Sequence, residues 1–493
     1  MSKQKDKKIV SRLHDHILEK KKGTLITPLN YGLGESLKFS SWANERLPGY
    51  LWMGLILDHF GRQEGIERVG RILFDISKEV TELDHPELSS IFSLSEEDQN
   101  KLYNIIIRHV NREVLAPLTV LYTHTHFPHF NEFFLIEQLS VKERIEIIKD
   151  SLDLFFDHQS HDATDLRFLV ISFWIFKGKV TLSNTVLMTA QALEEYPYSS
   201  HKDEKMSAYR AAIRAMEIGL NLAGENHEFS DNFWKEIGMI TNCEQNFIDY
   251  PENMNDYNDF VSDCYEIFQY LLNSNKEKLL CDNKFDILMG SSIYGVKIFD
   301  EIIQNKLGNS ILGRQAFRTI IEVFITLKFL LLKESDLPNI WEEYKQYGLS
   351  KYKLVLLKAR EYDFDDRESH LKPKIIEILV NEPKWEEFIN INFKYFNDLS
   401  IREKSELVDE KELYDLFYDY DTNFTHGFWG AIRESSMLFC NSVTHKFHSI
   451  PDVTSKQKLA DVIFDIYRLI KRILKLISEI YDIPSEFLEK YKI

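Results

Sequence analysis

At 493 residues the chain is longer than one hydrophobic core ordinarily serves, so two or more domains are expected. A hydrophobic content of 44% with only 12 Pro and 19 Gly excludes a disordered chain, and 34 Phe and 23 Tyr provide for large helix–helix interfaces. Lys and Arg total 60 against 78 Asp and Glu; the resulting −18 excludes broad, non-specific contact with DNA or an anionic membrane while leaving room for a local basic groove.

Residues 1–29 are basic, lack the apolar core of a signal peptide, and read as a frayed helix. Leu47-Pro48 suits a helix start, since Pro at the first helical position has no N–H to leave unpaired. Leu51, Leu55, Ile56 and Phe60 then form one apolar face, and Gly61 and Gly65 bracket a turn carrying Arg62. Ser95 and Asp98 stand at capping distance ahead of KLYNIIIRHVNREVLAPL, which Pro117 ends. Further helices are expected over 140–157, 165–176 and 181–194, and through KMSAYRAAIRAMEIGLNLAG. Residues 225–257 are less periodic and mark a domain boundary. Beyond it helices are expected over 258–275, 286–307, 313–334, 338–348, 350–362, 374–396, 410–420 and 424–440, with an exposed loop at 363–374. From Leu459, apolar residues at Ile463, Ile466, Ile470, Ile473, Ile477 and Ile480 alternate steps of three and four until Pro484. That narrow seam suits packing in a bundle or against a second subunit, so residues 459–483 are the expected homo-oligomer face. The expected fold is all-α: a basic segment 1–29, a helical domain 30–245 and a second helical domain 255–490.

The strongly apolar run Ile320–Leu332 contains Lys328 and is too short to span a bilayer. Cys243, Cys264, Cys281 and Cys440 form no C-x-x-C pair and read as free thiols of a reducing cytosol. A soluble, cytoplasmic protein without a membrane anchor is therefore expected.

The stretch RQAFRTIIEVFITLKFLLLKE from Arg314 is apolar on almost every side except one stripe, Arg314, Arg318 and Glu322, at four-residue spacing. Charges on such a helix need partners. Tyr414, Tyr418, Asp421 and Thr425 follow one helical face toward His426 and are the expected suppliers. The functional reading makes Arg318, Glu322 and His426 catalytic, with His426 as acid or base, and Arg314, Tyr418 and Thr425 substrate-binding. The bland reading is an Arg–Glu pair that fixes helix register. His124, His126 and His129 in LYTHTHFPHF are the densest imidazole cluster and a weaker candidate metal set. No P-loop, dinucleotide fingerprint or nucleophile elbow occurs, and no cofactor is expected.

Arg318-x-x-x-Glu322 followed by FNDLSIREKSELVDEKELYDLFYDYDTNFTHG resembles the bacterial family of unknown function DUF5677, over about residues 290–445. The resemblance implies residence among phage-defence genes and invites comparison with HEPN ribonucleases. Those enzymes set four to six residues between an Arg and the following His, whereas Arg367-x-x-His370 and Arg12-x-x-x-His16, the pairs here, are too short. Three functions are thus expected in turn. The first is a cytoplasmic defence or toxin-type effector that binds or cleaves RNA through the Arg/Glu/His site. The second is a non-catalytic module that senses a phage or host protein and oligomerises. The third is a metal-dependent hydrolase built on His124, His126 and His129.

Overall fold

The computed structural model describes all residues except 1–12, 20–22, 29–30, 32–40, 122–126, 181–186, 221–226, 252–254, 363, 365 and 383–384. The fold is all-α, and the described strands are short pieces in two small sheets. No described helix is long and apolar enough to cross a membrane. Two compact units divide the chain: Met1–Glu244 with Cys440–His448, and Gln245–Phe439 with Ser449–Ile493. The segment 440–448, assigned by sequence to the second domain, belongs to the first because Val443 is buried in that unit's core.

In the first unit, the described residues 13–19 and 23–26 are not a frayed helix. They form a turn at Leu13–Asp15 and an antiparallel hairpin, Ile17–Glu19 with Thr24–Ile26, reversed at Gly23 with φ 64°. The unit is built around helix α1 (Leu47–Phe60), in which every residue from Leu47 to Leu57 is buried. Gly61, at φ 73°, turns the chain into α2 (Arg62–Glu79). Gly65 lets α2 lie close against α1, since a Cβ there would stand 2.8 Å from Leu57 Cα. Helix α3 (Glu96–His109) starts at Ser95, whose Oγ accepts from Asp98 N, and α4 (Val141–Phe156) starts at a reciprocal Ser140/Glu143 cap. Helices α5 (His161–Phe176), α6 (Met206–Leu220) and α7 (His227–Ile240) complete the shell.

The second unit contains α8 (Asn258–Ser274), α9 (Asn283–Gln304), α10 (Ile311–Lys333) and α11 (Ile340–Glu361). After these come α12 (Ile401–Leu407), α13 (Asp419–His426), α14 (Trp429–Ser436) and α15 (Ile463–Ser478). The helix expected over 424–440 is broken because Gly427, at φ 62°, ends α13, and residues 437–440 are a strand. Helix α10 is the core element: Phe317, Ile320, Ile321, Phe324, Ile325 and Phe329 are all buried. The seam of α15 packs into the same core through Ile466, Ile470, Ile473 and Ile477. Of the two destinations that its spacing allowed, a bundle or a second subunit, these four residues of the stripe take the bundle.

Candidate functional site

Helix α10 is capped by Ser310, whose Oγ accepts from Gly313 N at 3.1 Å, and carries Arg318 at mid-length. Facing it, Leu413–Tyr418 is a π-helical turn that runs directly into α13; such wide turns often mark functional positions. Tyr418 and Thr422 are one helical step apart, and both reach Arg318. The guanidinium donates from Nε to Thr422 Oγ1 (3.1 Å) and from its NH2 group to the Tyr418 hydroxyl, and it lies 4.4 Å from the centre of the Tyr418 ring. Glu322 completes the group: its Oε2 stands 3.5 Å from Arg318 and accepts from Tyr418 Oη at 3.3 Å. Burial first, and the Glu322 carboxylate second, push the Tyr418 hydroxyl far above its ordinary range, so it stays a neutral donor. An all-round apolar helix would bury its charges, yet Arg318 and Glu322 reach solvent, their side chains 20% and 48% exposed. They form one wall of a cleft.

That cleft encloses about 710 Å³. Tyr344 and Tyr347 of α11, Tyr414 before α13 and Phe396 line it with aromatic surface. Tyr414 stacks on Tyr418 at 4.8 Å, and burial pushes its hydroxyl up to about 12. Arg402 and Lys404 of α12 contribute cations. Lys404 is the most informative of the lining residues. Only 6% of it is exposed, and its ammonium lies 5.4 Å from the ring centres of Phe329 and of Phe396. Among the described residues no carboxylate pairs with it, and no side chain or carbonyl accepts from its Nζ. Burial holds its pKa below the ordinary lysine range, with Glu322 and Glu403 acting the other way.

The remaining expected site residues go elsewhere. Arg314 is the buried cation of α10, 8% exposed, and donates to the Ala460 carbonyl at 2.9 Å. It stands 3.9 Å from Asp421, which is 1% exposed and has no hydrogen-bond partner on either carboxylate oxygen. Burial raises the Asp421 carboxyl to about 7; Arg314 opposes that shift, and Asp465 and Glu434 reinforce it. The folded state therefore holds a proton that the unfolded chain has already released. This group lowers stability as pH rises from about 4, the unfolded value, to about 7, and the full penalty remains above that. Asp421→Asn cannot titrate, so the variant should gain melting temperature relative to the parent between about pH 5 and about pH 8. An unchanged difference between the two proteins at both pH values would contradict this placement of Asp421.

Thr425 is exposed, with its hydroxyl on the Asp421 carbonyl at 3.4 Å. His426 ends α13, exposed and stacked on Phe428 at 5.5 Å. It does not line the cleft. Arg318, Glu322 and Tyr418 are brought together; Arg314 is directed to Asp421, and His426 lies one turn beyond Thr422, past the cleft. In the first unit, His124 and His126 lie outside the described residues, and His129 sits 3.9 Å from both Glu96 and Glu132. A group not anticipated from sequence does converge there: Cys243, Cys440, His445 and His448 place four donor atoms within 4.8 Å of one another.

No curated protein and no solved structure matches the chain. Residues 285–442 match the model described as "Family of unknown function (DUF5677)". The matched stretch holds Arg318, Lys404 and the tyrosines of the cleft.

Proposed function

We propose that the second unit binds single-stranded RNA in this cleft, as the recognition element of a cytoplasmic defence or toxin-type effector. The observation that carries the reading is Lys404, an ammonium in an apolar setting with no anionic partner among the described residues. A phosphate would supply the missing charge. Arg318 lies on the same cleft with its guanidinium already held over a tyrosine ring. The tyrosine walls offer π-faces on which unpaired bases stack, with sequence tolerance. The net charge of −18 confines such binding to a local groove. Binding is favoured over cleavage because no imidazole lines the cleft among the described residues and a guanidinium stays protonated at any working pH.

Fluorescence anisotropy with a labelled single-stranded RNA tests the reading. Lys404→Met keeps the packing volume and removes the charge, so affinity should fall by tenfold or more, and the salt dependence should lose about 0.7 of a unit in slope. Removing a desolvated charge should at the same time raise the melting temperature of this unit, by roughly 2–4 °C for each kcal/mol relieved. A variant that binds RNA as the parent does would refute the assignment.

A further inference from the structure

Four side chains outside the cleft form a metal-binding constellation. Three come from one short loop, Cys440-x4-His445-x2-His448; the fourth, Cys243, lies about two hundred residues upstream, just after α7. The loop is closed at its base by Cys440 N donating to the His448 carbonyl at 2.9 Å and is tied to the upstream segment by Asn441 N donating to the Glu244 carbonyl at 3.0 Å. A tight turn at Val443–His445 and two consecutive left-handed residues, Lys446 (φ 54°) and Phe447 (φ 50°), fold the loop back so that both imidazoles face the thiols. Left-handed backbone at two non-glycine residues is unfavourable by itself, so the surrounding structure must hold this shape. Val443 is buried in the core, and Phe447 packs edge-on against Phe156 at 5.1 Å.

The donors are set close and oriented. Cys243 Sγ stands 3.2 Å from His448 Nε2, and the His445 and His448 ring centres are 5.2 Å apart. Thr241 Oγ1 lies 3.1 Å from His445 Nε2 and 2.9 Å from Thr444 Oγ1, while donating to the Ile237 carbonyl at 2.6 Å, so a polar neighbour holds the His445 ring in place. The nearby Glu244 carboxylate is engaged by Lys149 at 2.8 Å. What converges is therefore two thiols and two imidazoles, a soft-to-borderline set unsuited to calcium or magnesium. A tetrahedral ion with bonds of about 2.3 Å to sulfur and about 2.0–2.1 Å to nitrogen needs donors roughly 3.3–3.8 Å apart. The observed spread of no more than 4.8 Å reaches that arrangement with a small contraction.

We propose that Cys243, Cys440, His445 and His448 bind one zinc ion as a closed, four-ligand structural site. With two thiolates the site is electrically neutral, and with no ligand position left open it is structural rather than catalytic. Its effect is mechanical. Cys243 stands one residue before the chain leaves the first unit, and Cys440 and His448 are the first and last residues of the segment that returns to it. The ion would close a loop of about two hundred residues and pin that returning segment in place.

The test uses the full chain, stripped with a chelator under reducing conditions, dialysed and then titrated with Zn²⁺ alone. The expected result is about one equivalent bound with a rise in melting temperature. Co²⁺ in its place should give thiolate-to-cobalt charge-transfer absorption and the intense visible bands of a tetrahedral site. His448 is exposed, so His448→Ala should fold and should bind Zn²⁺ about a hundredfold more weakly. Cys243→Ser should also abolish the charge-transfer band or reduce it by half. A parent chain that takes up no Zn²⁺, variants that bind it as tightly as the parent, or a Cys243–Cys440 disulfide that persists under reduction would each overturn the proposal.

Discussion

Replacing Glu217 by alanine is expected to destabilise the N-terminal unit by about 3–5 kcal/mol, the largest single effect on stability anticipated for this chain. Its carboxylate is fully buried and is held by two arginines that are themselves interior. Arg46 donates to it directly, and Arg167 Nε stands 3.5 Å away, with side-chain exposures of 7% and 2%. Both guanidiniums lie over the Trp42 ring, at 5.5 and 4.5 Å. Burial brings Arg167 down to about 10, and Glu217 is the first influence opposing that shift. Without the carboxylate, two desolvated cations would share one site over the Trp42 ring with their common counter-charge gone, and water would have to enter or the helices separate. Glu217→Gln, which keeps an acceptor but no charge, should fall between alanine and the parent. Denaturant unfolding followed by tryptophan fluorescence measures all three; an alanine variant within about 0.5 kcal/mol of the parent would contradict the account, since that is the range of ordinary surface substitutions.

The second large effect is on binding. Arg318→Ala should lower RNA affinity by about a hundredfold, because the guanidinium combines charge, a planar face and several fixed donors. Its Nε and NH2 groups are already used on Thr422 and Tyr418. The ligand therefore meets a pre-oriented cation and need not order a flexible one. Arg318→Lys should recover only a small part, since an ammonium lacks the fixed fork that bonds Thr422 and Tyr418 at once while lying over the Tyr418 ring. The lysine variant thus separates a positioned plane from a bare charge. If it bound RNA as tightly as the parent, the stacked geometry would have no part in recognition.

Much of this architecture was legible in the sequence because it rests on local rules. Ser95 caps α3, Leu47-Pro48 opens α1, and the four-residue spacing of Arg318 and Glu322 on an apolar helix pointed to a partner surface bearing Tyr418. What was missed depends on contacts distant in the chain. Lys404 sits in IREKSEL, behind a Ser400/Glu403 cap, and reads as the polar start of a surface helix; Phe329 and Phe396 supply its apolar setting. Arg314 and Arg318 look equivalent on a helical wheel, yet one meets a buried aspartate and the other a cleft. His426 continues the stripe of Tyr418 and Thr422, but the helix carries it past the end of the cleft. The seam of α15 was visible, and its destination was not. The zinc ligands were half readable: Cys440, His445 and His448 have ligand-like spacing, but Cys243 joins them only through the fold.

RNA bound by the second unit should lie along the tyrosine-walled cleft over Lys404. Ultraviolet crosslinking of a single-stranded RNA to the full chain, followed by mass spectrometry of the crosslinked peptides, tests it most directly. The predicted result is adducts on peptides carrying Tyr344 or Tyr347 and Tyr414 or Tyr418, lost in Lys404→Met. Adducts confined to the first unit, or unchanged in that variant, would contradict it.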